Sequence, residues 1–194
     1  MELLFCSSNI HKVEEMRLLL PSWISIATMR EKGITEEIPE NGSSFVENAM
    51  AKARYVHQRT GAAVFADDSG LEVECLGGAP GIYLARYAGN GASSEMNMNK
   101  LMEAMSGNNN RRARFVCVIA LIYNNKESFF EGFVEGQIQH ARSGKGGFGY
   151  DPLFVPNGYE NTFAELSSSI KNQISHRAVA IRSMVHALEE FKSH

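Results

Sequence analysis

Hydrophobic and polar positions in the first sixty residues alternate between a strand-like and a helix-like spacing. The run from Glu2 to Ser7 is typical of a β-strand, and Lys12 to Leu20 repeats apolar residues at the spacing of a helix. A capping box at Ser44 begins a second helix, which we expect to run to about Thr60 because Gly61 suits the position just past a helix end. The pattern therefore predicts two β–loop–α units.

The middle of the chain contains shorter and less regular patterns. Residues 63–66 are predicted to form a short apolar strand that leads into Asp67 to Gly70. Residues 71–75 alternate apolar and acidic positions, which predicts a half-exposed strand. A third helix is expected after a cap at Ser93 or Ser94.

The second half contains the strongest strand pattern, from Arg114 to Tyr123. Two asparagines connect it to a second strand over residues 128–138, and so short a connection predicts antiparallel pairing. A short strand at 153–155 and a final helix over 175–191 follow. Parallel-type units followed by an antiparallel block predict an α/β fold with a mixed sheet, and we expect residues 1–194 to form one domain.

Composition and charge exclude several functional classes. The chain of 194 residues has a formal net charge of −3 and no basic stripe, so we expect no general binding to nucleic acid. Its longest apolar run, residues 115–123, is too short for a membrane-spanning helix. The three cysteines show no metal-binding spacing, which favours buried free thiols and a cytoplasmic location.

The loop from Ser7 to Lys12 is a candidate phosphate site. It lies between a strand and a helix, where free backbone N–H groups, the helix dipole and the Lys12 ammonium favour an anion. The segment does not match a Walker A motif, so an ordinary polar loop is the alternative.

Three acidic residues, Glu40, Asp67 and Asp68, form a candidate metal site. Carboxylate oxygens at the end of a strand suit Mg²⁺, which neutralises phosphate charge and activates water. The alternative is an Asp–Asp turn in which the side chains cap backbone amides.

Two later segments are candidates for recognising a base. In the glycine-rich loop at residues 145–152, the rings of Phe148 and Tyr150 suit stacking on a base. Lys171 and the pair His176-Arg177 offer hydrogen-bond donors to a carbonyl oxygen. The alternatives are a flexible loop with buried rings and a helix start with solvated polar residues.

Taken together and in order, these segments resemble the inosine triphosphate pyrophosphatases, a family of noncanonical purine nucleoside triphosphate pyrophosphatases. The resemblance covers nearly the whole chain. It is carried by six segments: Ser7 to Lys12, Glu40 to Ala53, Ala66 to Leu71, Leu76 to Tyr87, Gly146 to Pro152 and Ile174 to Arg177.

The resemblance implies a fold and a set of site residues. The fold would be an elongated mixed sheet with flanking helices and two lobes enclosing a nucleotide cleft, and the protein would be a homodimer. Glu40 and Asp68 would bind Mg²⁺, and Asp68 would also be the general base. The implied substrate-binding residues are Ser7, Ser8, Asn9, Lys12, Lys52, Ser69, Phe148, Gly149, Tyr150, Asp151, Lys171, His176 and Arg177.

The implied reaction is hydrolysis of ITP, dITP or XTP to the monophosphate and pyrophosphate. Two alternatives remain at this stage. One is a pyrophosphatase for modified pyrimidine triphosphates, which the Ser175-His176-Arg177 segment argues against. The other is a nucleotide-binding regulator without catalysis, which the presence of both Glu40 and Asp68 argues against.

Overall fold

The computed structural model describes residues 1–192 and confirms an α/β fold built on a mixed sheet. Within these residues the sheet has seven strands: β1 (Glu2–Phe5), β2 (Ser25–Thr28), β3 (Val64–Val73), β4 (Pro80–Gly81), β5 (Arg112–Tyr123), β6 (Lys126–Ile138) and β7 (Phe154–Pro156). The α-helices are α1 (Ile10–Leu19), α2 (Phe45–Thr60), α3 (Ser94–Ala104), α4 (Ser168–Ile174) and α5 (His176–Lys192).

Strand pairing shows why the sheet is mixed. The strand order is β2-β1-β3-β5-β6-β7, and β4 pairs with β3 outside this path. β1 is parallel to both β2 and β3, with Phe5 opposite Thr28 on one side and Phe65 on the other. β4 is antiparallel to β3, and β7 is antiparallel to β6.

The chain forms two compact units, of which the first comprises residues 1–68, 117–132 and the chain from Arg177 onward. Two apolar clusters form its core. One packs α2 against the sheet through residues such as Ala53 and Val56, and the other packs α1 and α5 against the sheet through Met16 and Met184. Sheet residues of this unit are therefore covered on both faces by helices.

The second unit comprises residues 69–116 and 133–176. Its core packs α3 against sheet residues through Met98 and Leu101, with Met105 just after the helix in the same cluster. A cluster of rings completes the core, with Phe115 lying edge-on to Phe154 at 4.7 Å between ring centroids.

Several predicted boundaries are confirmed. α2 begins after Ser44, whose side chain accepts the N–H of Glu47, and ends at Gly61 with a left-handed φ of 64°. Ser93 is the cap of α3. The three cysteines lie among the described residues and form no disulfide, although Cys75 is only partly buried.

The predicted strand end at Ala66 is wrong, and the alternative of an Asp–Asp turn is excluded, because Asp67 to Gly70 continue β3 without a break. Their burial explains the difference. Asp67 and Asp68 are 1% and 4% exposed, and buried backbone groups need the hydrogen bonds of a ladder. Residues 74–76 form a short 3-10 turn in place of a strand end, and α4 was not predicted at all.

Within residues 1–192, no helix is both long and apolar enough to cross a membrane.

Candidate functional site

The start of α1 presents a lysine beside a buried carboxylate. Asn9 is the N-cap residue, and its side-chain oxygen accepts the N–H groups of His11 at 3.0 Å and Lys12 at 3.3 Å. The sequence predicted that backbone N–H groups here would meet a phosphate, but these two are occupied by the cap. The positive charge at this position comes from the Lys12 ammonium, which lies 2.9 Å from the Asp67 carboxylate.

Three oxygen atoms surround the ammonium group of Lys52. It lies 2.5 Å from Glu40 Oε1, 2.5 Å from the backbone oxygen of Asp67 and 3.8 Å from Asp68 Oδ1. Burial favours loss of the proton from Lys52, but the neighbouring carboxylates outweigh this effect and raise its pKa. The structure therefore brings Glu40 and Asp68, the two predicted metal ligands, to one point in the first unit.

The surroundings of Asp68 make ionisation of its carboxyl group less favourable than it is in water. Burial, together with the charge of Glu40, raises its pKa to about 6, although Lys52 acts in the opposite direction. Asn48 donates from Nδ2 to Asp68 Oδ2 at 3.0 Å, and its own side-chain oxygen accepts the N–H of Gly42 at 2.8 Å. One buried amide thus connects the loop that carries Glu40 to the strand that carries Asp68.

Replacing Asn48 by alanine is expected to lower the free energy of unfolding by about 1–3 kcal/mol, the usual cost of leaving buried polar groups unpaired. Both the Gly42 N–H and an oxygen of Asp68 would lose this partner. Urea denaturation measures the loss, with Asn157→Ala as a matched control on an exposed residue. Equal stability of the two variants would contradict the assigned role of Asn48.

The second unit contains a buried ion pair beneath the glycine-rich loop. Lys171 Nζ lies 2.7 Å from Asp151 Oδ2, and the same oxygen accepts the N–H of Phe148 at 2.8 Å. A β-carbon added at Gly147, whose φ is +70°, would lie 2.1 Å from that oxygen. The glycine therefore lets the backbone approach the carboxylate, and the ammonium lies 5.2 Å from the centroid of the Phe148 ring.

The remaining predicted residues of this unit have different environments. The His176 ring stacks on Phe115 with 4.8 Å between ring centroids and 11° between planes. Tyr150 is buried and donates to the backbone oxygen of Leu84, which favours packing over stacking on a base. Gly149 has a left-handed φ of 63°, and Ser69 is partly buried in β3.

Two groups of predicted residues are therefore assembled, one in each unit. The first unit contains Ser7, Ser8, Asn9, Lys12, Glu40, Lys52, Asp68 and Arg177, and the second contains Ser69, Phe148, Gly149, Tyr150, Asp151, Lys171 and His176. Within residues 1–192, no three His, Cys, Asp or Glu side chains form a group able to hold a metal ion. Asn48 and Glu15, the latter an ion-pair partner of Arg177, were not predicted, because neither contact is local in sequence.

Comparison with protein-family models identifies the family. Residues 3–187 match the model of the Ham1 family. The chain belongs to the Ham1 family. This result confirms the resemblance that the six sequence segments carried, and it covers nearly all of the chain.

Two relatives and one solved structure are similar to this chain over nearly their full length. The protein named dITP/XTP pyrophosphatase in Flavobacterium johnsoniae is 43% identical, over 99% of this chain and all of that protein. The protein of the same name in Porphyromonas gingivalis is 46% identical, over 94% of this chain and 95% of that one. The solved structure of the Staphylococcus aureus Ham1 protein superposes with a TM-score of 0.89 at 39% identity, covering 98% of this chain and 99% of that one.

Proposed function

We propose that this chain hydrolyses purine nucleoside triphosphates with an abnormal base, namely ITP, dITP and XTP, to the monophosphate and pyrophosphate. The observation that carries the proposal is the set of three oxygens around Lys52, together with Lys12 of α1, since both lysines contact Asp67. Relatives named dITP/XTP pyrophosphatase support the choice of substrate. We propose that residues 1–194 act as one such domain.

The oxygens near Lys52 fit a divalent cation. Glu40 and Asp68 supply carboxylate oxygens, the ligand type that Mg²⁺ prefers, and the Lys52 ammonium lies within 4 Å of both, so their oxygens converge on one positively charged group. We propose Mg²⁺ as the cofactor and these two residues as its protein ligands. When bound, the ion would neutralise phosphate charge and lower the pKa of a water molecule.

Asp68 is our candidate for the general base. In the metal-free chain, burial raises the pKa of Asp68 to about 6, and at neutral pH its carboxylate is ionised and able to accept a proton from water. The hydrogen bond from Asn48 fixes one oxygen of Asp68. The attack of that water on the α-phosphorus would release pyrophosphate.

Lys12 and Lys52 would stabilise the negative charge of the departing pyrophosphate. Both ammonium groups are held by carboxylates, so their positions are set before the substrate arrives. Charge that needs no rearrangement during the reaction is usually the largest single contribution to catalysis. Ser7, Ser8, Asn9 and Ser69 are proposed as further contacts of the triphosphate.

The donors of the second unit, with Arg177, are proposed to select the base. Hypoxanthine and xanthine present an oxygen at position 6, which accepts hydrogen bonds, whereas adenine presents an amino group. Buried donors such as those of Lys171 and His176 would lose partners on binding adenine, and the loss of such partners discriminates strongly. Phe148 is proposed to stack on the base, with Gly149, Tyr150 and Asp151 shaping its loop.

A substrate panel tests the proposal. With Mg²⁺, we expect kcat/KM for ITP, dITP and XTP to exceed that for ATP by about a hundredfold or more. The product should be pyrophosphate, measured against orthophosphate, and EDTA should abolish turnover. GTP and dUTP complete the panel. Equal hydrolysis of ATP and ITP would contradict the selectivity, and release of orthophosphate would contradict cleavage at the α-phosphorus.

The family resemblance also leads us to propose a homodimer that works in the cytoplasm. Light scattering coupled to size exclusion gives the oligomeric state, because a dimer has twice the chain mass of 21.5 kDa.

A further inference from the structure

Asp67 holds three cationic side chains of the first unit at once. Its carboxylate oxygen Oδ2 lies 2.9 Å from Lys12 Nζ and 3.5 Å from Arg177 Nη2. Its backbone oxygen accepts a hydrogen bond from Lys52 at 2.5 Å. The Asp67 side chain is only 1% exposed, so these attractions are weakly screened by water.

The charges around Asp67 alternate in sign. Lys12 forms an ion pair with Asp67, and Asp67 lies beside the guanidinium of Arg177. Arg177 in turn forms an ion pair with the carboxylate of Glu15. Lys12 and Glu15 belong to α1, Asp67 to β3 and Arg177 to α5. The chain of ion pairs thus fixes the start of α1, where Lys12 lies, against two other elements.

This environment distinguishes Asp67 from its neighbour Asp68. A divalent ion on Asp67 Oδ2 would lie close to the ammonium of Lys12 and the guanidinium of Arg177, and like charges at such distances repel by several kcal/mol, about 4 at 4 Å near a surface. Asp68 contacts one cation at 3.8 Å and one neutral amide. The two adjacent acids therefore differ in what surrounds them.

We propose that Asp67 is a positioning residue, whose carboxylate orients Lys12 toward the triphosphate, and that it is not a ligand of the metal. This inference rests on the proposed function. The Asp67 carboxylate acts through Lys12, so its removal should disturb the placement of the Lys12 charge in the transition state. A misplacement of about 1 Å can cost about a hundredfold in rate.

The values of kcat and KM for ITP distinguish a positioning residue from one that binds the substrate. Asp67→Asn is expected to lower kcat for ITP about thirtyfold or more, because Lys12 loses the partner that orients it. KM should stay within about threefold, because removing a negative charge does not weaken attraction of the substrate anion. Glu127→Gln is the matched control: its carboxylate pairs with Arg54 on an exposed surface, and its kinetics should equal those of the wild type.

Direct titration with Mg²⁺ supplies a measurement that does not depend on turnover. Calorimetry should give Asp67→Asn a Kd within about threefold of the wild type, whereas Asp68→Asn should bind at least about tenfold more weakly. Should Asp67→Asn fail to fold, the double variant with Arg177→Gln takes its place in this titration, since it removes the buried cation together with the anion.

A double-mutant cycle tests whether Asp67 acts through Lys12. Lys12→Met and Asp67→Asn should each reduce kcat, and the double variant should lose little more than the larger single effect. Additive losses, an unchanged kcat in Asp67→Asn, or a loss of Mg²⁺ affinity equal to that of Asp68→Asn would each overturn the proposal. A wild-type protein without ITP turnover would refute the proposed function instead, while the Mg²⁺ titration would still decide whether Asp67 is a ligand.

Discussion

Asp68→Asn is expected to reduce kcat for ITP by at least about a hundredfold, the usual scale for removal of a general base. The amide has nearly the shape of the carboxylate but cannot accept a proton from water. It also offers a weaker ligand oxygen to a cation. Steady-state release of pyrophosphate at saturating Mg²⁺ measures the loss, and turnover within tenfold of the wild type would remove Asp68 from the mechanism.

A stability measurement distinguishes this loss from misfolding. Since the pKa of Asp68 is raised to about 6 in the folded chain, protonation stabilises the fold below that pH, and the benefit is lost as the pH rises through it. At pH 8 without metal, the neutral amide escapes the burial penalty that the ionised carboxylate bears. The variant should therefore melt at or above the temperature of the wild type, while its activity is lost.

Asp151→Ala is expected to lower the free energy of unfolding by about 3–5 kcal/mol, the cost of breaking a buried ion pair from one side. The Lys171 side chain is only 9% exposed, so its ammonium cannot be fully hydrated once its partner at 2.7 Å is removed. The Phe148 N–H loses an acceptor in the same substitution. Chemical denaturation measures the change.

Two further variants test whether the stability loss of Asp151→Ala comes from the buried ion pair. Glu72→Ala removes a carboxylate that pairs with Arg114 at a more exposed position of the same unit, and it should cost about 0–1 kcal/mol. Adding Lys171→Met to Asp151→Ala should restore part of the lost stability, because no unpaired charge is then buried. A loss equal to that of Glu72→Ala would show that the pair is not needed by the fold.

Local signals in the sequence predicted the helices better than the strands. The boundaries of α2 followed from Ser44 and Gly61, since capping depends on a few neighbouring residues. The continuity of β3 through Asp67 to Gly70 did not follow, because these residue types favour turns and only burial within the sheet keeps them extended. Pairing across the sheet is a tertiary effect that local propensity does not contain.

For the candidate site too, local sequence signals predicted only part of what the structure contains. Residue types and their order indicated Glu40, Asp68 and Lys12, because their chemistry suits a metal and a triphosphate. The side chains that hold them, above all Asn48, give no local signal: an asparagine inside a helix reads as a surface residue until its contact with Asp68, twenty positions away, is seen. Sequence thus indicated the reactive groups, and the structure adds what orients them.

The ammonium of Lys52 also acts as a built-in counter-ion. Because it already neutralises part of the repulsion between Glu40 and Asp68, the polypeptide does not depend on a bound cation to bring its acids together. In this respect the protein differs from small domains that fold only with a bound metal ion and unfold when a chelator is added. Protein prepared and stored in chelating buffer should therefore stay folded but inactive, and adding the cation should restore its activity.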